Sequence, residues 1–119
     1  MGTIELEDAL ISHPAVAEVS VVGKKDDIKG EVPIGFVVLT NSRTPSRELA
    51  EELKRHVRKI IGPIATFSDI YFVPGLPKTR SGKIMRRVVK ALVEGETVGD
   101  ITTLEDQNSV DFIIKALED

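Results

Sequence analysis

The sequence predicts an α+β fold, a small mixed sheet with antiparallel strands flanked by helices. Three observations carry this. Two β-branched runs, Val16 to Val22 and Ile34 to Leu39, lie close enough to pair as neighbouring antiparallel strands. Leu49, Leu53, Val57, Ile60 and Ile61 recur at helical spacing. The elements then follow in the order helix, strand, strand, helix, strand, loop, helix, helix, which suits helices packed on a small sheet.

Each element has its own reason. Ile4 to Ser12 predicts a short helix, with Ile4, Ala9, Leu10 and Ile11 as its apolar side and Glu5, Glu7 and Asp8 favouring its N-terminal dipole. His13-Pro14 stops it, because the residue before proline is pushed out of the helical region. In the first strand Ala17, Val19 and Val21 share one face, and Glu18 and Ser20 the other. Gly23 to Gly30 reads as a charged turn, and the second strand as the more buried of the two. Asn41 to Thr44 is a loop. Thr44 with Pro45 offers an N-cap and first-turn pair for the next helix. Glu51 and Arg55 are expected to pair on its outer face, and Gly62-Pro63 to end it. Ser68 to Val73 predicts a third strand. Pro74 to Lys83, holding Pro74, Gly75, Pro77 and Gly82, reads as irregular. Ile84 to Val93 predicts a helix ended by Gly95. A polar linker, Glu96 to Asn108, leads to a last helix carrying Val110, Ile113, Ile114 and Leu117.

Composition narrows the function. The 119 residues make one domain with little room for a deep pocket of its own. At 41% hydrophobic residues the chain has enough apolar mass to fold, so disorder is not expected. With 16 basic and 19 acidic residues its net charge is −3, which removes the simplest support for nucleic-acid binding. Without cysteine there is no disulfide, thiolate nucleophile or cysteine-bound zinc. His13 and His56 alone are too few for a histidine metal site, so no metal ligands are assigned. No apolar run approaches the roughly 18 residues of a membrane span, and the N-terminus does not read as a signal peptide. A cytoplasmic location is the expectation.

Charge is concentrated in one segment. Lys78, Arg80, Lys83, Arg86, Arg87 and Lys90 fall together with no acid among them. A glycine-containing turn bearing lysines and entering a helix makes an anion site, and phosphate is the natural tenant. The plainer reading is a solvated face, and cations at a helix N-terminus are electrostatically unfavourable. A nucleotide-hydrolysing P-loop is excluded, because Gly82-Lys83 is followed by Ile84 and Pro77 stands where its first glycine belongs. No aromatic residue lies between Lys78 and Lys90, so a stacking platform for nucleic acid is absent too.

The stretch Pro77-Lys78-Thr79-Arg80-Ser81-Gly82-Lys83-Ile84-Met85-Arg86-Arg87 resembles the last core motif of the adenylate-forming enzymes, and more narrowly the AMP-forming acetyl-CoA synthetases. Three other stretches agree. Ile4 to Leu10 followed by His13-Pro14-Ala15-Val16 resembles the start of that family's small C-terminal domain. Lys29 to Pro33 resembles the turn between its first strands, and Gly99 to Asp106 the tail of its acetate and propionate branch.

The resemblance implies a two-step reaction. A carboxylate, acetate or another short acid, attacks the α-phosphate of ATP and releases pyrophosphate. The small domain then swings, and coenzyme A takes the acyl group from the adenylate, leaving AMP. It also implies that Lys83 is the adenylation lysine, that Lys78, Arg80, Arg86 and Arg87 position the loop, and that Arg80 and Gly82 belong to the cofactor-binding set; Arg86 and Arg87 read equally as helix-surface charges. Arg58 matches a family arginine that contacts the 3′-phosphate of coenzyme A. Lys83 is the expected acetylation site, which makes a protein acetyltransferase and a deacylase expected partners. Magnesium would come with ATP and be held by a large N-terminal domain. By the same resemblance that domain and its hinge lie before this chain, so residues 1–119 are expected to form a single C-terminal domain that is inactive alone. A non-enzymatic anion-binding or protein-interaction module presenting a basic loop stays open at this point.

Overall fold

The computed structural model describes residues 3–26, 30–41, 43–62, 69–95 and 108–118. Its elements are α1 (Thr3–Ile11), β1 (Val16–Asp26), β2 (Gly30–Leu39), α2 (Arg47–Ile61), β3 (Asp69–Phe72), α3 (Arg86–Val93) and α4 (Asn108–Glu118). β1 and β2 pair antiparallel, β2 and β3 parallel, in the order β1-β2-β3. The predicted mixed α+β architecture is what the chain forms.

Helices cover both faces of the sheet, and strand alternation decides which residue meets which layer. Val19, Val21 and Val37 face α1 and α2, meeting Leu6, Leu10, Leu49, Leu53 and Val57. Val22, Ile34 and Phe36 face the other way, onto Val89 and Val93 of α3 and Ile113 of α4. Phe36 also stacks on Tyr71 with centroids 5.4 Å apart. Leu76 lies on this second side, and the fully buried Pro77 next to it fixes the base of the basic loop.

Several expectations are corrected. The apolar side of α1 is Leu6, Ala9 and Leu10, while Ile4 and Ile11, seven residues apart and so on one helical face, point to solvent. Glu18 and Ser20 share the α3 side of β1, a covered face, and Ser20 is fully buried. The charged turn is shorter than expected. The hairpin pairs out to Asp26 and Gly30, because α3 supplies partners for its charges: Lys25 meets Glu94 at 3.4 Å, and Lys90 meets Glu31 at 3.2 Å. α2 is capped by Ser46, whose extended backbone lets its hydroxyl accept from Leu49 N–H at 3.0 Å; Thr44 and Pro45 precede the cap. Glu51 lies 3.8 Å from Lys54, not against Arg55. α3 starts at Arg86, since Ile84 is engaged in a β-bridge with Lys78. Ser68, Pro63, Lys29 and the Gly99–Asp106 stretch lie outside the described residues, and Asn108 already belongs to α4.

Candidate functional site

The segment expected to be irregular is a miniature hairpin. Lys78 and Ile84 form an antiparallel bridge. Thr79 N–H donates to Lys83 C=O and Gly82 N–H to Thr79 C=O, each at 2.9 Å. Met85 N–H donates to Pro77 C=O at 2.8 Å, so the proline contributes an acceptor where no donor is needed. Gly82 sits at φ +90°, the left-handed position that closes short hairpin loops and that glycine adopts without strain. The Thr79 hydroxyl accepts from Lys83 N–H at 3.2 Å and lies 2.9 Å from the Ser81 hydroxyl. The amides of Thr79, Gly82 and Lys83 are thus engaged inside the turn. The hairpin displays the side-chain charge of Arg80 and Lys83 outward.

The six cations divide into two groups. Lys78 Nζ donates to Glu18 Oε2 at 2.5 Å. Arg86 forks onto Glu7, with Nε on Oε2 at 2.9 Å and Nη2 on Oε1. Lys90 reaches Gly23 C=O at 2.9 Å, Glu94 at 3.1 Å and Glu31 at 3.2 Å. The Glu7 hydrogen bond is the main cause of a raised Arg86 pKa. At Lys90 burial opposes the charge, but the hydrogen bonds it donates to Glu94 and Glu31 outweigh it and the pKa is raised. By contrast Arg80, Lys83 and Arg87 are exposed and make no ion pair among the described residues. Lys83 stands at the exit of an internally bonded turn, and its ammonium has no ion-pair partner among the described residues.

Glu7 is the residue that sequence reasoning missed. It is buried on α1, and its Oε2 also accepts from Val21 N–H at 2.8 Å. β1 is an edge strand, so Glu7 satisfies an edge donor while Arg86 reaches it from the helix layer on the opposite face. The signal was one acid in a helix turn of several, which only tertiary contact distinguishes.

Arg58 lies in the last turn of α2, exposed and without an ion pair among the described residues. α2 packs on one sheet face, and the hairpin and α3 on the other. The structure therefore does not bring Arg58 and Lys83 together. His13 and His56 serve packing. His13 Nδ1 accepts from Ala15 N–H at 3.0 Å, which leaves its Nε2–H to donate to Glu52 at 2.6 Å. His56 sits edge-on to it at 5.0 Å and bonds Ser12 Oγ at 2.8 Å. Among the described residues no three His, Cys, Asp or Glu side chains are grouped to hold a metal ion, and no helix is long and apolar enough to cross a membrane.

Residues 5–83 match the family model described as AMP-binding enzyme C-terminal domain. The chain belongs to that family. The matched span runs up to Lys83 itself. The chain is 60% identical, over all 119 residues, to an acetyl-coenzyme A synthetase of Pyrobaculum arsenaticum, and covers 18% of that protein. It is 52% identical, over its whole length, to a 3-hydroxypropionyl-coenzyme A synthetase of Metallosphaera sedula, again covering 18%. Among solved structures it resembles an acyl-CoA synthetase of Brucella canis, with a TM-score of 0.74 and 42% identity over 78% of this chain and 17% of that one. The chain thus spans about one fifth of the length of the relatives it matches.

Proposed function

We propose that this chain is the mobile C-terminal domain of an AMP-forming ligase that activates acetate or a similarly short acid with ATP and passes it to coenzyme A. The observation that carries the reading is Lys83, exposed and without an ion pair among the described residues, on the internally bonded turn of a hairpin whose ends are tied down through Lys78 and Arg86. An adenylation step brings a carboxylate and a triphosphate together. An ammonium placed between them from a preformed turn offsets their repulsion and the charge that develops as the bond to the leaving pyrophosphate breaks. Arg80, exposed beside it, adds to the field that attracts the nucleotide, and Gly82 gives the turn its shape.

Arg58 on the opposite face supports a two-orientation cycle. One face of the domain supplies Lys83 for adenylation, and the other supplies Arg58 to a phosphate of coenzyme A once the domain has turned. The large domain would hold the adenine, the acyl group and the magnesium that accompanies ATP. The relatives described above are an acetyl- and a 3-hydroxypropionyl-coenzyme A synthetase, which supports a short carboxylic acid as substrate. A cytoplasmic setting belongs to the same reading, where ATP and coenzyme A are at hand. The exposed Lys83 ammonium, without an ion pair among the described residues, is open to acetylation, which removes the charge the first step needs.

In the full-length ligase Lys83→Ala is expected to lower ATP–pyrophosphate exchange about 10²–10³-fold while leaving thioester formation from supplied acetyl-adenylate unchanged. Equal loss of both half-reactions contradicts the assignment.

A further inference from the structure

The hairpin that carries Lys83 is held at its ends by acids that lie outside the basic motif. Lys78, the first bridged residue, is tied to Glu18 of β1; Arg86, just past the second bridged residue, is tied to Glu7 of α1. Glu18 is the less conventional of the two. Its Oε2 takes the Lys78 ammonium, whereas its Oε1 is buried and has no hydrogen-bond partner among the described residues. Ser20 Oγ, two residues on along the same strand face, is likewise buried and without a hydrogen-bond partner among the described residues. Half of the Glu18 carboxylate is therefore desolvated, and Lys78 is its one salt-bridge partner among the described residues. A group in that position holds its partner firmly, because releasing it leaves a partly buried charge without compensation.

The mechanical path from this pair to Lys83 is short. Lys78 bridges Ile84, the neighbour of Lys83, and the next residue, Thr79, holds both the carbonyl and the amide of Lys83. A shift of Lys78 off Glu18 moves the hairpin strand opposite Lys83 and, through those bonds, Lys83 itself.

We propose that Glu18 is a positioning residue for Lys83, acting through Lys78. The proposal rests on the reading of Lys83 given above. Placement errors near 1 Å in a reacting group lower rates by as much as about 100-fold, so loosening this clasp is felt in the step Lys83 serves and not in the other.

The test uses the full-length ligase with Lys83→Ala, Lys78→Met, Lys78→Arg and Glu18→Gln. Three readouts are taken: kcat and KM for ATP–pyrophosphate exchange, thioester formation from acetyl-adenylate, and the thermal midpoint. Lys78→Met and Glu18→Gln are expected to lower kcat for exchange about 10–100-fold, with KM for ATP and the thioester step unchanged. Lys78→Arg, which keeps the ion pair, is expected to restore most of the loss. Unchanged exchange in both clasp variants overturns the proposal. So does a parallel fall of both half-reactions and the thermal midpoint, or a failure of both variants to fold, since either marks a purely structural pair. If Lys83→Ala itself keeps full exchange, the reading of Lys83 fails and the positioning role falls with it; if only the clasp variants keep exchange, that reading stands and the clasp alone is wrong.

Discussion

Lys78 and Lys83 flank the same turn, carry the same charge and differ in what surrounds them. Lys78 is three-quarters covered and lies 2.5 Å from Glu18. Lys83 is exposed, and its salt-bridge partners among the described residues are none. The same division runs along the segment, with Arg86 and Lys90 held and Arg80 and Arg87 without ion pairs among the described residues. A basic motif is thus two devices, cations that fasten a hairpin and cations that the hairpin displays. A held cation should register in stability, and in chemistry only through the displayed residue it positions; a displayed one should register in chemistry or binding with little effect on stability.

The strongest way to break the division is through its most buried anchor. Glu7→Ala leaves Arg86 and the Val21 N–H without their shared acceptor. In urea unfolding of the chain we expect a loss of about 3 kcal/mol, near the lower end for breaking a buried pair because Arg86 is half exposed. A loss below about 1 kcal/mol would make the anchor ornamental. Next comes Arg58, a displayed cation on the far face. Arg58→Ala in the full-length ligase should weaken coenzyme A binding about 10-fold by calorimetric titration, the effect of one charge-assisted contact, with the thermal midpoint unchanged. The smallest effect is expected at His56, which belongs to the packing between α1 and α2. Burial chiefly, then the charges of His13 and Lys59, lowers its pKa from the ordinary 6.5. The unfolded chain therefore binds the proton more readily. The stability that His56 contributes is fully present above about pH 6.5 and is lost as the pH falls below it toward the folded value. His56→Asn should flatten the decline of the unfolding midpoint over that range.

The elements were largely legible because their causes are local. Valine and isoleucine runs, the stripe of Leu49, Leu53 and Val57, and the stop at His13-Pro14 each act within a few residues. What escaped depends on distant partners. Lys24 to Asp26 read as turn on composition, yet they pair with β2, and the distant Glu94, just past α3, meets Lys25. Glu7 and Glu18 read as ordinary surface acids, and the hairpin and α3 make them anchors across 79 and 60 residues of chain. Thr44 lost the cap to Ser46 because Ser46 is the residue three before Leu49, the first buried position of α2. In the basic segment the residue types and the glycine of the turn were visible, but which cations are free was not. That depends on acids contributed by α1 and β1.

The division between held and displayed cations is tested most directly by unfolding Lys78→Met and Lys83→Met side by side in urea. The account predicts that Lys78→Met loses about 1–2 kcal/mol, by stranding the half-buried Glu18 carboxylate, while Lys83→Met stays within about 0.5 kcal/mol of the parent chain. Equal losses in the two variants, or a larger loss for Lys83→Met, would contradict it.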